Sequence, residues 1–349
     1  MSHARRPPYS IRPLVAPMCA VLTLFIPGRA VGQEPGLKLA VGDFGIGIGD
    51  VPRLDGLRLN FRDRALERIR GVNITVWSPY EGADGVVHGL ALGLPMTGAG
   101  EIRGVALGAG VAVEREFTGI GVAPLGMGAG GRLRGIMVAG IGAGAGGSVE
   151  GLLLGGIGIG AGGSVRGIAI GGIGAGAGGD LDGLGIGGIG IGAGGNVTGV
   201  LVGGVGVGAG GHVRGITIGG IGVGAGGDLT GVAVGGVGLG VGGELTGLAI
   251  AGAGVGASSF DGVILTGLGA GAGSGRGFVL APAYFRIAEG GSFGGVSVSA
   301  YNDIRGEQRG LVIGLLNITE ELHGVQIGLI NIARNKERFP VLPLVNYHR

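Results

Sequence analysis

The fold is decided by one stretch, Ser164-Val165-Arg166-Gly167-Ile168-Ala169-Ile170-Gly171-Gly172-Ile173-Gly174-Ala175-Gly176-Ala177-Gly178-Gly179. Ile168 and Ile170 alternate with Ala169, the period-two pattern of a short β-strand. Ile173, Ala175 and Ala177 alternate with glycines as a second strand in opposite phase. Between them Gly171-Gly172 resets the phase, as a corner or bulge does. Gly178-Gly179 before a polar residue is a turn signal. Helix is excluded by so much interior glycine, each residue of which costs about 1 kcal/mol relative to alanine.

The unit repeats in both directions. A glycine recurs every 16 residues at Gly135, Gly151, Gly167, Gly183, Gly199, Gly215, Gly231 and Gly247. Looser spacing extends the series upstream through Gly119, Gly104, Gly89 and Gly71 to Gly56, and downstream through Gly262, Gly277, Gly295 and Gly310 to Gly324, 18 units in all. Two architectures accommodate such strands. In a β-solenoid each unit is one coil, and equivalent residues stack about 4.8 Å apart. In an outer-membrane barrel, neighbouring units run antiparallel. Constant spacing favours the solenoid, because every coil then meets the same neighbours.

Charge supports stacking. The position before the recurring glycine reads Arg134, Glu150, Arg166, Asp182, so signs alternate over four units, as neighbours at sheet distance prefer. A membrane barrel wants strands of about 9–11 residues and aromatic girdles, yet no Phe, Tyr or Trp occurs between Phe117 and Phe260. The expected fold is therefore an all-β solenoid of about 18 short coils with capping ends. Residues 33–55 form the N-terminal cap, 56–333 the array and 334–349 the C-terminal cap. Small inward residues imply a thin coil, held largely by backbone ladders.

Composition agrees with a folded chain. Of 349 residues 93 are glycine, without the three-residue period of collagen, and 45% are hydrophobic, which disordered linkers lack. The N-terminus reads as a secretory signal over residues 1–32: Arg5, Arg6 and Arg12, then apolar Leu14 to Pro27, then the small-x-small site Ala30-Val31-Gly32. Removing it takes away Cys19, the single cysteine, and with it any disulfide. It also removes four arginines and no acid, so 25 basic against 23 acidic residues become 21 against 23. A mature chain near −2 has no electrostatic footing for nucleic acid.

The last two clear units are Gly310-Leu311-Val312-Ile313-Gly314-Leu315-Leu316-Asn317-Ile318 and Gly324-Val325-Gln326-Ile327-Gly328-Leu329-Ile330-Asn331-Ile332. This G-h-x-h-G-h-h-N-h unit, with the ending Pro340-Val341-Leu342-Pro343-Leu344-Val345-Asn346, resembles uncharacterised bacterial surface-repeat proteins of the Leptospira type. The resemblance covers Gly295 to Asn346 and fades in the glycine-rich middle. It implies an exported protein of the cell surface, outer membrane or periplasm, and it offers no catalytic residues to carry over.

Chemistry-bearing motifs are sparse. Partial G-x-G-x-x-G matches such as Gly158 to Gly163 follow from composition and lack a strand–turn–helix context. Gly178-Gly179-Asp180 and Gly226-Gly227-Asp228 are similar to calcium-binding β-roll turns, but those need a nine-residue register, so the acids read as solvated turn residues. His212 falls in the same turn column as Ser148, Ser164, Asp180, Asn196, Asp228 and Glu244 and reads as a turn residue. Asp43, Asp50 and Asp55 read as loop charges rather than a metal site. No residue is assigned to catalysis, to a cofactor or to a metal.

The expected role is an exported structural or adhesive surface repeat protein, not an enzyme, with cell-envelope components or a second copy as partners. The alternative is an outer-membrane barrel or channel; ice binding would need continuous threonine rows, which Thr198, Thr217, Thr230 and Thr246 do not make. From the signal follows the first prediction: the exported chain begins at or near Gln33. Intact-mass measurement of envelope or secreted fractions checks this, and a chain still carrying Met1 there refutes it.

Overall fold

The computed structural model describes residues 36–77, 79 and 84–349, so the expected signal peptide lies outside the described residues. Each 16-residue unit folds as one turn with a long strand and a short one, for example Val165–Gly171 and Gly174–Ala177. Every residue of the long strand pairs in parallel with the residue 16 further on: Val165 with Leu181, Arg166 with Asp182, through Gly171 with Gly187. The short strands do the same, Gly174 with Gly190 through Ala177 with Ala193. The chain is thus an all-β solenoid of about 16 turns with a period near 16 residues. Its neighbours run parallel, unlike the antiparallel strands of a barrel.

The recurring glycine has a geometric cause. From Gly135 to Gly247 its φ lies between +120° and +132°, a region L side chains rarely adopt. A Cβ there would also sit 2.0–2.2 Å from the carbonyl oxygen of the glycine one coil earlier. Conformation and close approach each exclude any other residue. Where spacing departs from 16, bulges absorb the difference. Gly247 pairs with Gly262, 15 on, and the missing residue is taken up where the register shifts between Val241 and Glu244.

The core lies between the two strands of each turn. Val165 and Ala169 of the long strand and Ala175 and Ala177 of the short one point inward and are buried. Bulk is traded both within a coil and between adjacent coils. Gly185 leaves room for Ile191, whose Cδ1 would lie 2.3 Å from a Cβ on the glycine. Gly275 likewise makes space for the Phe260 ring. Phe260, Phe285 and Phe293 then form an aromatic cluster, with ring centroids 5.0–6.5 Å apart, where the apolar column widens towards its C-terminal end.

Both ends switch from parallel to antiparallel pairing. Leu37–Val41 folds back on Phe44–Ile48, which in turn pairs in parallel with Arg53–Asn60. At the other end Val341–His348 runs antiparallel along Gly324 to Ile332 and covers the final edge. The C-terminal edge thereby passes to a strand that carries Pro343, which has no N–H to offer a further strand.

Two glycines separate the structural positions from the optional ones. Gly183 has φ +129° and a carbonyl in the path of its Cβ, whereas Gly224, on the outward side of a short strand, has nothing within 4 Å. Gly183→Ala is expected to lower stability by about 3 kcal/mol. Gly224→Ala is expected to change it by about 0.5 kcal/mol or less. Urea unfolding followed by circular dichroism distinguishes the two.

Candidate functional site

The surface is organised in columns, because any residue placed outward in one coil is repeated directly above and below. On the long strand the outward positions after the glycine are those of Ile168 and Ile170. From Leu57 and Leu59 at one end to Leu311 and Ile313 at the other, every rung of these two rows is aliphatic or phenylalanine. A third row stands at the adjoining corner, where Ile173, Ile189 and Ile221 are 50–54% exposed. So large aliphatics line the solvent side as well as the inside, where Leu133, Met137, Leu153 and Leu201 are buried among the alanines. A continuous apolar face of this length exceeds the few hundred Å² found on ordinary monomers.

The opposite side is bare. The outward positions of the short strands are glycine from Gly126 and Gly128 to Gly269 and Gly271. At Gly160, Gly208 and Gly240 a Cβ would meet nothing within 4 Å. Backbone geometry does not demand glycine there, so the flatness is a property of the surface alone.

Charges border the aliphatic face on one side. Arg134 reaches Glu150 at 2.9 Å and Arg166 reaches Asp182 at 3.5 Å, each pair one coil apart. These pairs are exposed and contribute roughly 0–1 kcal/mol each.

The turn column next to them has a definite structural job. The backbone N–H of each turn residue donates to the side chain one coil earlier: Asp180 to Ser164 Oγ at 3.1 Å, Asn196 to Asp180 Oδ1 at 2.7 Å, His212 to Asn196 Oδ1 at 2.9 Å. Asp228 N–H then donates to His212 Nδ1 at 3.0 Å, and Glu244 N–H to Asp228 Oδ1 at 2.8 Å. Solvation alone does not explain these residues, because each supplies a short acceptor that continues the ladder across the turn. Ser, Asp, Asn and neutral His share that capacity, which is why the column tolerates all four.

Polar groups fill the interior near both ends. Asn302 donates to Asn317 Oδ1 at 2.8 Å and Asn317 to Asn331 Oδ1 at 2.7 Å, all three fully buried. Their remaining amide protons go to carbonyls, including those of Ile327 and Leu342. The asparagine of the C-terminal repeat motif is therefore an internal ladder. Asn302, outside the motif as read, belongs to it as well. Near the N-terminus buried Arg58 pairs with buried Asp63, which also accepts from Asn60 and from Thr75. Of the three N-terminal acids, Asp43 bonds Lys38 at 2.7 Å and Arg68 at 3.3 Å. The Lys38 hydrogen bond and charge, helped by Arg68, hold its carboxyl below the usual carboxylate range. Asp50 lies 3.8 Å from Arg58 and Asp55 3.8 Å from Arg68, so each faces an arginine.

A polar groove of about 940 Å³ lies over the last coils, lined by Tyr301, Asp303, Arg305, Glu307, Glu320 and Arg334 among others. Both arginines of the lining are engaged by carboxylates: Arg305 binds Asp303 at 2.9 Å and Arg334 binds Glu320 at 2.7 Å. Tyr284 donates to Asp303 at 3.3 Å, and burial together with that carboxylate pushes its phenol up. No family model, no curated protein and no solved structure matches the chain.

The turn ladder yields a local prediction. Asp180→Ala removes the acceptor of the Asn196 N–H and should cost about 0.5–1.5 kcal/mol, while Asp180→Asn should be nearly neutral. Hydrogen exchange at the Asn196 amide should accelerate in the alanine variant only.

Proposed function

We propose that this chain is an exported structural or adhesive surface repeat protein, a rod that acts through its outward faces. The observation that carries the reading is the unbroken aliphatic face from Leu57 and Leu59 to Leu311 and Ile313. Water-exposed apolar rows of this length are unfavourable unless something covers them. The secretory character of residues 1–32 and the resemblance of the C-terminal repeats to bacterial surface-repeat proteins support an envelope location. The groove over the last coils supports a structural reading too, since its arginines are engaged by neighbouring carboxylates.

The test combines location and attachment. Intact cells should expose the protein to added protease or antibody, directly or after the outer envelope is permeabilised. Cells lacking it should lose attachment or envelope cohesion. Confinement of the protein to the cytosol overturns the proposal.

A further inference from the structure

Resting on the reading of the aliphatic face as a contact surface, we propose that its occupant is a second copy of this chain, packed face to face and antiparallel over the whole length of the rod. Three observations lead there.

The first is area. The two rows span 17 rungs from Leu57 to Leu311. At a strand spacing of about 4.8 Å this is a strip roughly 75 Å long. With the corner row it is roughly 13 Å wide, so two copies would cover on the order of 2,000 Å² together. Stable specific interfaces bury about 1,200–2,000 Å². A second copy also has the same rise per coil, so its side-chain rows keep step along the full length.

The second is the border of charge. Rotating one copy about the axis of its own solenoid direction would lay the charged column over the exposed corner isoleucines. Rotating it about an axis across the rod keeps charge over charge and aliphatic over aliphatic, and makes the two rods antiparallel. With all 17 rungs overlapping, Glu150 of one copy faces Arg214 of the other, Arg103 faces Asp261, and Asp55 faces Arg309, each contact occurring twice by symmetry. Asp182, the central rung, meets its own copy.

The third concerns the alternatives. A lipid surface would need the face sunk about 5–10 Å into the headgroup region, which would carry the neighbouring Arg and Glu column with it. Interfacial aromatic anchors are also missing from the middle of the face, where no Phe, Tyr or Trp occurs between Phe117 and Phe260. Packing the aliphatic face on the bare glycine strip of another copy would produce an open-ended stack with one aliphatic face always uncovered. Packing it on itself closes the assembly.

Sedimentation velocity on the purified exported chain beginning at Gln33, in parallel with vesicle flotation, tests the arrangement. The expected result is a dimer at micromolar concentration. Ile170→Lys together with Ile186→Lys should weaken it by about 100-fold. Because both side chains point outward, the circular dichroism spectrum should be unchanged; if the lysine pair does not fold, Ile168→Thr with Ile170→Thr is the gentler substitute. Gly176→Lys, on the glycine strip, should leave the dimer intact. Glu150→Arg and Arg214→Glu should each weaken the dimer by about tenfold, and the double variant should restore it. Within one chain these positions lie four coils apart, about 19 Å, too far to pair. A monomeric wild-type chain, flotation in place of dimerisation, or dissociation by Gly176→Lys but not by the isoleucine changes would each overturn the proposal. None of these outcomes depends on where the protein resides, so the dimer can fail while the surface role stands, and the reverse.

Discussion

Everything in this structure depends on the approach of one glycine to another. At the recurring position the backbone adopts φ near +120°, and the glycine of each coil sits against the carbonyl of the glycine beneath it. A methyl group at any rung would open the ladder on both sides of it. The closest contact in the repeat is therefore backbone on backbone, and the coils stack with residues 16 apart in line. That register then propagates every other feature: a charge, an acceptor or a bulky group becomes a column.

The distribution of bulk follows from the thinness of the coil. The space between the strands of one turn is filled by alanine and valine together with leucine and methionine such as Leu133, Met137, Leu153 and Leu201, with glycine opposite the occasional isoleucine or phenylalanine. A coil of this kind has a narrow core, so burial is joined by backbone ladders that are summed over neighbours. A second set of large aliphatics faces outward, in rows along the long strands and the adjoining corner. The opposite side carries glycine where the backbone does not require it. Two faces of such different character on a thin slab are the main chemical statement the molecule makes.

The interior changes nature towards its ends. In the middle it is apolar except for buried Thr217. Near the C-terminus an asparagine ladder runs inside the coils, each amide bonded to the next and to backbone carbonyls. Near the N-terminus an arginine and an aspartate are buried together with Asn60, Asn73 and Thr75. The asparagine ladder fixes register more strictly than apolar contacts because a slip leaves donors unpaired, whereas the N-terminal cluster leaves Arg58 Nε and Asn60 Oδ1 without a hydrogen-bond partner. Such groups at the ends, with antiparallel closing strands, hold the regular middle in register.

The period, the parallel stacking and the alternating charges were legible in the residues from Gly135 to Gly247, because a solenoid writes its geometry directly into sequence spacing. The glycine at each sixteenth position was visible, but its positive φ was not, since glycine is compatible with many conformations. The turn residues Asp180, Asn196 and His212 looked merely solvated, because a hydrogen bond to the next coil is a contact between residues far apart in sequence. The asparagines Asn317 and Asn331 stood out as a motif without a reason, and their partner Asn302 did not stand out at all. Sequence by itself thus determined the repeat and its register. That Ala169 rather than the pair Ile168 and Ile170 faces the core of the long strand was decided by tertiary structure, because alternation assigns residues to two faces without saying which one closes on the opposite strand.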